Sequence, residues 1–349
     1  MPATNFTTSR QRRGSQPITE RLAAIFESLP DDDLILQLRG PRRRGRPGYD
    51  PEILWRCFVT YYALGLESVC ALLRLLRDNP FIAEACGVKD EMPSQPTLSR
   101  FGTKLSKRWA SLEVKRVFRK LTLALYDTLP DFGKSVAIDS TDIKAWSNGS
   151  KKGKKRHVFD LTGPGHPRHP GRVSDPDAGW CVKTNTEGNK KYVWGYKVHI
   201  LADTTYELPI ALDVSRGNFH DSRAAAPLLR QARVAHGTFH PRYVLADAAY
   251  SSDRLRQHVR RQYRAEPIID PNAAHTRAVA RTPKTAEWKA IYNRRTAVER
   301  LNGRLKGFYK LNDVRVRGRM KLAVHAMLSA IILLATAVAY PTAPRCRVA

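Results

Sequence analysis

Apolar residues recur at spacings of three and four through the first third of the chain, from about residue 18 to 105. The period is clearest in ITERLAAIFESLP, PEILWRCFVTYYALG and ESVCALLRLLRDNP. Asp50 before Pro51 is typical of a helix start, because aspartate caps free N–H groups and proline fits the first turn. The pattern predicts an all-helical region over 17–110, preceded by a basic, polar tail at 1–16 that we expect to be disordered.

The period changes after about residue 121, where short apolar runs indicate strands. A helix is predicted from Asp221, as its N-cap, through Ala232, and a long basic helix from Ala286 to Gly307. Strands interspersed with helices predict an α/β domain with a mixed sheet over 111–340, followed by a tail at 341–349. The predicted strands are SVAIDST, VWGYKVHIL, LPIALDV, YVLA and PII.

The segment 147–192 interrupts this pattern between the first two predicted strands. It is polar, rich in Gly, Pro, Lys and His, and too long for a hairpin loop. We interpret it as an insertion in the α/β domain and assign no role to its residues.

The segment 322–340 (LAVHAMLSAIILLATAVAY) is nearly long enough to span a membrane. A helix buried against a sheet has the same composition. No other apolar segment has this length, so we expect a buried helix and no membrane partner. The N-terminus has no apolar run typical of a secretory signal, and a cytoplasmic location is expected.

The five cysteines show no C-x-x-C spacing and predict neither a zinc site nor a disulfide framework. Three of them, Cys57, Cys70 and Cys86, lie in apolar helical pattern and are expected to be buried.

The net charge of the chain indicates which class of partner it binds. Lys and Arg number 60 against 32 Asp and Glu, for a net charge of +28. Nucleic acid is the polyanion that most often neutralises such an excess. Within the helical region, a basic loop contains Arg43 and Arg44, and a helix capped by Ser94 carries Arg100, as a recognition helix does. The alternative is an ordinary helical domain with a solvated basic face.

Three carboxylates occupy positions that suit metal chemistry. Asp139 and Asp247 each follow an apolar strand, and Glu299 lies on the long basic helix. Two carboxylates brought together repel each other unless a cation lies between them. Mg²⁺, with Mn²⁺ as a substitute, prefers such oxygen ligands. On a continuing strand, Asp142 would face away from Asp139.

The long basic helix places one acid among cations. Tyr292, Arg295, Glu299 and Lys306 fall within a stripe about 60° wide on an ideal helix. A salt-bridged surface helix would carry several acids, whereas Glu299 is the only acid among five nearby basic residues. Basic side chains beside a metal-binding acid would neutralise the phosphates of a nucleic acid bound at the site.

The spacing Y-x2-R-x3-E-x6-K resembles the signature of one group of bacterial insertion-sequence transposases of the DDE type. VAIDST and VLADAAYSS are similar to the family motifs that carry its first and second catalytic Asp. WGYKVHILAD, LPIALDVSRGN and NFHDS resemble other family blocks, and the helical region from YDPEILWRC to QPTLSRF is similar to the family's DNA-binding domain. The resemblance covers about 17–340.

The resemblance implies an RNase H-like catalytic domain, with acids on the first strand, the fourth strand and a later helix. Asp139, Asp247 and Glu299 would then ligate magnesium, and Tyr292, Arg295 and Lys306 would contact DNA at the element ends. The remaining residues of note, Asn218, His220 and Asp221, would orient the site or cap the next helix.

The resemblance also implies a function. The expected enzyme is a DNA transposase that hydrolyses a phosphodiester at each element end, after which the freed 3′-hydroxyl attacks target DNA. Its partners would be the terminal inverted repeats, the target DNA and a second copy of the chain, in the bacterial cytoplasm at the nucleoid. An RNase H-like nuclease without strand transfer and a transposase-derived DNA-binding protein are the alternatives. The Tyr-Arg-Glu-Lys helix favours a transposase over the nuclease, and the three acids argue against a protein that only binds.

Overall fold

The computed structural model describes residues 17–40, 48–89, 91–149, 173–184, 189–271 and 284–341. The predicted tail at 1–16, the residues after 341, and residues 150–172 and 185–188 of the predicted insertion lie outside the described residues.

The N-terminal region is helical, as predicted. The side chain of Asp50 accepts a hydrogen bond from the backbone N–H of Glu52, and that of Ser94 accepts one from Thr97, so both predicted caps are confirmed. The helices are α1 (Ile18–Ser28), α2 (Asp32–Arg39), α3 (Pro51–Ala63), α4 (Val69–Asp78), α5 (Pro80–Ala85), α6 (Gln95–Leu105) and α7 (Arg108–Thr128).

A mixed α/β region follows, also as predicted. Its elements in chain order are β1 (Ser135–Lys144), β2 (Gly179–Thr184), β3 (Lys190–Asp203), β4 (Pro209–Arg216), α8 (Ser222–Ala235), β5 (Tyr243–Ala246), α9 (Asp253–Tyr263) and β6 (Glu266–Ile269). One strand was missed: β2 lies inside the segment 147–192, where no strand was predicted. Its six residues lie in a polar segment, and they form a strand by pairing with the first residues of β3.

The six strands form one sheet in the order β2-β3-β1-β5-β6, and β4 pairs with β3 on the same side as β2. β3 is antiparallel to β1, β2 and β4, whereas β1, β5 and β6 run parallel to one another. Gly195 is required where β3 lies between β1 and β2, because a Cβ atom there would lie 1.9 Å from the carbonyl oxygen of Ile143. This topology puts β1 at the centre of the sheet.

The predicted long basic helix is two helices, α10 (Ala286–Asn293) and α11 (Thr296–Gly307), so the single-helix prediction was wrong. The helix is interrupted at Arg294 and Arg295, whose backbone N–H groups donate to the carbonyl oxygen three residues earlier instead of four. α11 packs against β1 and β3, and this contact with the sheet sets its direction independently of α10.

The C-terminal apolar segment forms α12 (Arg319–Ala339), which packs against α1, α3, α7 and β4. Among the described residues it is the one helix long and apolar enough to cross a membrane, yet 78% of its most apolar window is buried within the protein. The prediction of a buried helix is confirmed. α12 thus joins the N-terminal helices and the sheet in one hydrophobic core. The predicted domain boundary at residue 110 falls within α7 and stays a prediction.

Cys57 and Cys86 are buried, as expected, but Cys70 is exposed. Cys70 lies in the first turn of α4, whose buried face is formed by Leu72 and Leu76, and its own side chain points away from that face.

Candidate active site

Asp139 and Asp247 lie next to each other in adjacent parallel strands. The pairing of β1 with β5 ends at Ile138 and Ala246; Asp139 is the next residue of β1, and Asp247 directly follows β5. The expectation that Asp139 ends its strand was wrong, because β1 continues to Lys144. What ends there is its pairing with β5.

Burial raises the pKa values of both carboxyls, and a neighbouring negative charge adds to each rise. Burial raises the pKa of Asp139 to about 6; the backbone N–H of Ser140 opposes the rise, and the charge of Asp247 adds to it. Burial likewise raises the pKa of Asp247, while a hydrogen bond of 3.0 Å from the backbone N–H of Ala249 opposes the rise. Two carboxylates in this state form a site that gains from a bound cation.

Asn302 is a neighbour of Asp139 that the sequence did not single out. Its Nδ2 atom donates a hydrogen bond of 2.8 Å to Asp139 Oδ2. Asn302 lies one turn after Glu299 on α11 and is 7% exposed, and its Oδ1 atom has no hydrogen-bond partner. A polar residue next to the buried Leu301 and Leu305 is the only sequence signal that could have marked it.

Glu299 lies at the exposed start of α11 and pairs with Arg295 across 2.7 Å. The Arg295 guanidinium also lies 5.6 Å from the ring centroid of Tyr292, which stacks on Trp288 at 4.8 Å. The predicted stripe of four side chains on one helix was therefore wrong. Arg295 instead sits at the break between the two helices, where it reaches both Tyr292 and Glu299. Lys306 is half-buried in the last turn of α11.

Two of the basic residues of α11 are paired with an acid of the chain itself. Glu207, in the turn between β3 and β4, pairs with Arg300 at 2.6 Å and with Arg304 at 3.4 Å. Glu207 adopts a left-handed backbone with φ of 59°, which costs energy for a residue with a side chain. The two ion pairs fasten α11 to the sheet, and the interpretation of Glu299 as the only acid near these cations was incomplete.

A second polar cluster lies near the two aspartates. Lys197 Nζ donates to both carboxylate oxygens of Asp221, at 2.9 and 3.0 Å. Asp221 occupies the N-cap position of α8, as predicted, but its side chain makes no cap hydrogen bond; the backbone N–H of Ser222 bonds to His220 Nδ1. Asp142 does face away from Asp139, as expected, and accepts a hydrogen bond from Cys181 Sγ.

Arg100 is exposed on α6 and donates to Thr97 Oγ1 at 3.3 Å. With Lys104 it lines a depression of about 860 Å³ between α3 and α6, away from the carboxylates. Arg43 and Arg44 lie outside the described residues.

The described residues contain no group of three Asp, Glu, His or Cys side chains that already surrounds an ion position. Asp139 and Asp247 nevertheless offer hard oxygen ligands, and the charge of Asp247 raises the pKa of Asp139, so the pair fits Mg²⁺ or Mn²⁺. Glu299 is close enough for its charge to raise the pKa of Asp139, but its carboxylate is paired with Arg295. The donor set therefore fits a divalent cation, with the third carboxylate held by a cation of the chain itself.

Comparison with known proteins adds family evidence. Residues 131–335 match the family described as "Transposase DDE domain", and residues 10–104 match "Transposase domain (DUF772)". The chain is 25% identical over 340 residues to a "Probable transposase for insertion sequence element ISH11" in each of two strains of Halobacterium salinarum; the match covers 92% of this chain and 89% of each relative. A crystal structure of the Mos1 mariner paired end complex with Mn is 13% identical and covers 83% of this chain and 87% of its own. Its TM-score of 0.22 is too low to support an argument about the fold.

Proposed function

This chain belongs to the transposase DDE domain family, and on that premise we propose that it is a DNA transposase that cleaves the ends of an insertion element and joins them to target DNA. The match over 131–335 confirms the family that the sequence motifs indicated. One observation carries the proposed chemistry: Asp139 and Asp247 emerge side by side where the parallel pairing of β1 and β5 ends.

An RNase H-like catalytic domain accommodates this arrangement. If β2 is set aside as an addition, the remaining strands lie in the order β4-β3-β1-β5-β6. Asp139 is then on the first strand, Asp247 follows the fourth, and Glu299 is on a later helix. These are the three positions that the resemblance to the family implies for its acids.

We assign Asp139, Asp247 and Glu299 as the ligands of Mg²⁺, for which Mn²⁺ can substitute. When bound, the divalent ions supply an activated water or 3′-hydroxyl and stabilise the leaving oxygen of the phosphodiester. Asn302 holds Asp139 through Oδ2, and the N–H of Ala249 holds Asp247. No side chain of the chain acts as a nucleophile in this scheme.

Arg295, Tyr292 and Lys306 would contact element-end DNA. Arg295 is only 18% exposed, and its Nε atom has no hydrogen-bond partner. A guanidinium with a buried, unused donor gains from a phosphate oxygen. The helical region, with Arg43, Arg44 and Arg100, would bind the terminal inverted repeats, and the net charge of +28 would neutralise phosphates. Holding two ends together implies a homodimer on DNA, in the bacterial cytoplasm at the nucleoid.

The test is end cleavage with the purified full chain. The substrate is a labelled duplex carrying the terminal inverted repeat, mixed with a supercoiled target plasmid and Mg²⁺; a duplex with a shuffled end serves as the control. We expect cleavage at the repeat and labelled product joined to the plasmid, with Ca²⁺ failing to support either because it favours looser geometry. Cleavage without joining would favour a nuclease, and binding without cleavage a transposase-derived binding protein. A chain that neither binds nor cleaves repeat-bearing DNA would refute the proposal.

A further inference from the structure

Three of the sequence blocks that resemble family motifs meet in one polar cluster. WGYKVHI contributes Lys197 and His199 of β3, DVSRGN contributes Ser215 of β4, and NFHDS contributes Asp221 just before α8. Lys197 donates to both oxygens of Asp221, and His199 Nε2 lies 2.7 Å from Ser215 Oγ. The two contacts join residues 24 and 16 positions apart in the chain into a single unit.

This cluster lies next to the proposed metal ligands. His199 is the cross-strand partner of Ser140, the residue that follows Asp139. α8, which begins directly after Asp221, packs against the short 3₁₀ helix Ala248–Tyr250, the segment that follows Asp247. The cluster is therefore adjacent in the sheet to the residue after Asp139, and the helix that follows Asp221 contacts the segment after Asp247.

Stability alone is a poor explanation for the cluster. The side chains of Lys197 and Asp221 are 11% and 21% exposed, so the pair loses much of its hydration. A buried ion pair often contributes no more stability than apolar residues of the same volume. The His199 side chain is 1% exposed, and its Nδ1 atom has no hydrogen-bond partner; it lies 3.9 Å from Asp221 Oδ1. A purely structural polar network is expected to satisfy all its members.

We propose that Lys197, His199 and Asp221 form a positioning unit that sets how tightly the neighbouring carboxylates Asp139 and Asp247 hold a divalent cation. Asp221 supplies a fourth negative charge near the site, and Lys197 offsets it. His199 and Ser215 keep Asp221 and Lys197 in register on the sheet. The inference rests on the proposed function, because it concerns the same cation.

The electrostatics agree with this arrangement. Burial raises the pKa of Asp247, and the charge of Asp221 adds to that rise. The charges of Asp221, Asp139 and Asp247 also add to the effect of burial in raising the pKa of Tyr250. Asp221 is thus within electrostatic range of Asp247, and a divalent ion beside Asp247 would interact with both charges of the Lys197–Asp221 pair.

Two single variants that change Mn²⁺ affinity in opposite directions would distinguish this unit from a cluster that only stabilises the fold. Asp221→Asn removes a negative charge and should weaken Mn²⁺ binding about tenfold, whereas Lys197→Gln removes the offsetting positive charge and should tighten it by a similar factor. The double variant restores the charge sum and should lie within about threefold of wild type. A cluster that only stabilises the fold would give losses in both single variants, because each breaks the same ion pair.

The measurement is Mn²⁺ binding to the full chain, from the electron paramagnetic resonance signal of free Mn²⁺, with and without element-end DNA. The Mn²⁺ midpoint of end cleavage is recorded in parallel, and thermal unfolding checks that each variant is folded. Glu113→Gln is the matched control, since Glu113 is a buried carboxylate paired with Arg116 at 2.8 Å on α7, which packs against helices. Lys197→Arg keeps the charge and should keep the wild-type midpoint.

Shifts of the same sign in the two single variants, or no shift in either, would overturn the inference. If Asp221→Asn does not fold, Asp221→Ser removes the same charge with less bulk and carries the same expectation. A wild-type chain that binds Mn²⁺ but cleaves no DNA would refute the proposed function alone, because the binding data would still decide the role of the cluster.

Discussion

Asn302 Nδ2 donates a hydrogen bond of 2.8 Å to Asp139 Oδ2 and so joins the helix that carries Glu299 to the strand that carries Asp139. The bond engages one oxygen of the Asp139 carboxylate. Because Asn302 is buried on the sheet side of α11, its side chain also fixes how far that helix lies from β1. Two of the three proposed metal ligands are therefore positioned by one amide.

Asn302→Ala should lower end cleavage by about tenfold to a hundredfold, since removing a buried partner of a charged group costs about 1–3 kcal/mol. DNA affinity should stay unchanged, because Asn302 is not exposed. Single-turnover cleavage and a binding titration measure the two effects separately. Asn312→Ala, at an exposed position, is the control. Equal losses of cleavage and of DNA affinity would show that Asn302 supports the fold rather than the carboxylate.

Asp139→Asn, Asp247→Asn and Glu299→Gln should each abolish end cleavage, because each removes a charged ligand from the proposed metal site. DNA affinity should stay the same or rise slightly, since a negative charge near phosphate is lost. Gel-shift titration and end cleavage with the same duplex check both. Glu287→Gln, an exposed acid on α10, should cleave as wild type. If Glu299→Gln cleaves as well as wild type, α11 does not supply the third metal ligand. Glu287 or Glu266 would then be the acid to test.

Arg295→Gln should have opposite effects on metal and on DNA. Without DNA, Mn²⁺ binding should tighten several-fold, because Glu299 loses the cation that pairs with it at 2.7 Å. Binding of element ends should weaken, because a phosphate contact is lost. Calorimetric Mn²⁺ titration and a gel shift measure the two effects. The neighbouring Arg294→Gln is the control; Arg294 is exposed. Unchanged Mn²⁺ binding in Arg295→Gln would mean that the Arg295–Glu299 pair does not limit metal entry.

The basic charge should appear in the salt dependence of binding. If six or more phosphates are neutralised, the logarithm of the affinity for non-specific duplex should fall with the logarithm of salt concentration with a slope of about −5 or steeper. Fluorescence anisotropy across a salt series gives the slope. Affinity that hardly changes between low and physiological salt would contradict nucleic acid as the partner of this charge.

His325 should make stability depend on pH. Its Nε2–H donates to the carbonyl oxygen of Tyr309 at 3.3 Å, so Nδ1 accepts from the Tyr62 hydroxyl at 2.9 Å, and the ring is neutral. Burial lowers the pKa of His325 to about 4, below the unfolded value of about 6.5. As the pH falls from about 7 to 5, the unfolded chain takes up a proton that the folded chain does not. The contribution of this group to the free energy of unfolding should therefore fall by about 2 kcal/mol.

Urea unfolding of wild type and His325→Gln at the two pH values measures that contribution. The wild type should lose its advantage over the variant by about 2 kcal/mol at the lower pH. The exposed His240→Gln serves as the control and should keep a constant difference from wild type. A constant gap for His325→Gln would contradict a neutral buried ring.

Much of the architecture is determined by the sequence itself. The caps at Asp50 and Ser94, the apolar period of the N-terminal helices and the burial of α12 depend on residues a few positions apart. The position of Asp247 after a short apolar strand is a local feature of the same kind. Local signals of this kind were sufficient to indicate an α/β domain after a helical region and the family to which the chain belongs.

The tertiary structure alone decided which polar groups meet. β2 became a strand by pairing with the first residues of β3, and the basic helix broke at Arg294 because α11 follows the sheet. The bonds from Asn302 to Asp139 and from Lys197 to Asp221 join residues 163 and 24 positions apart. A hydrogen bond or ion pair depends on distance in space, and the chain's own periodicity reports only on neighbours within a turn or a strand. The candidate carboxylates could therefore be proposed from the sequence, but the side chains that contact them could not.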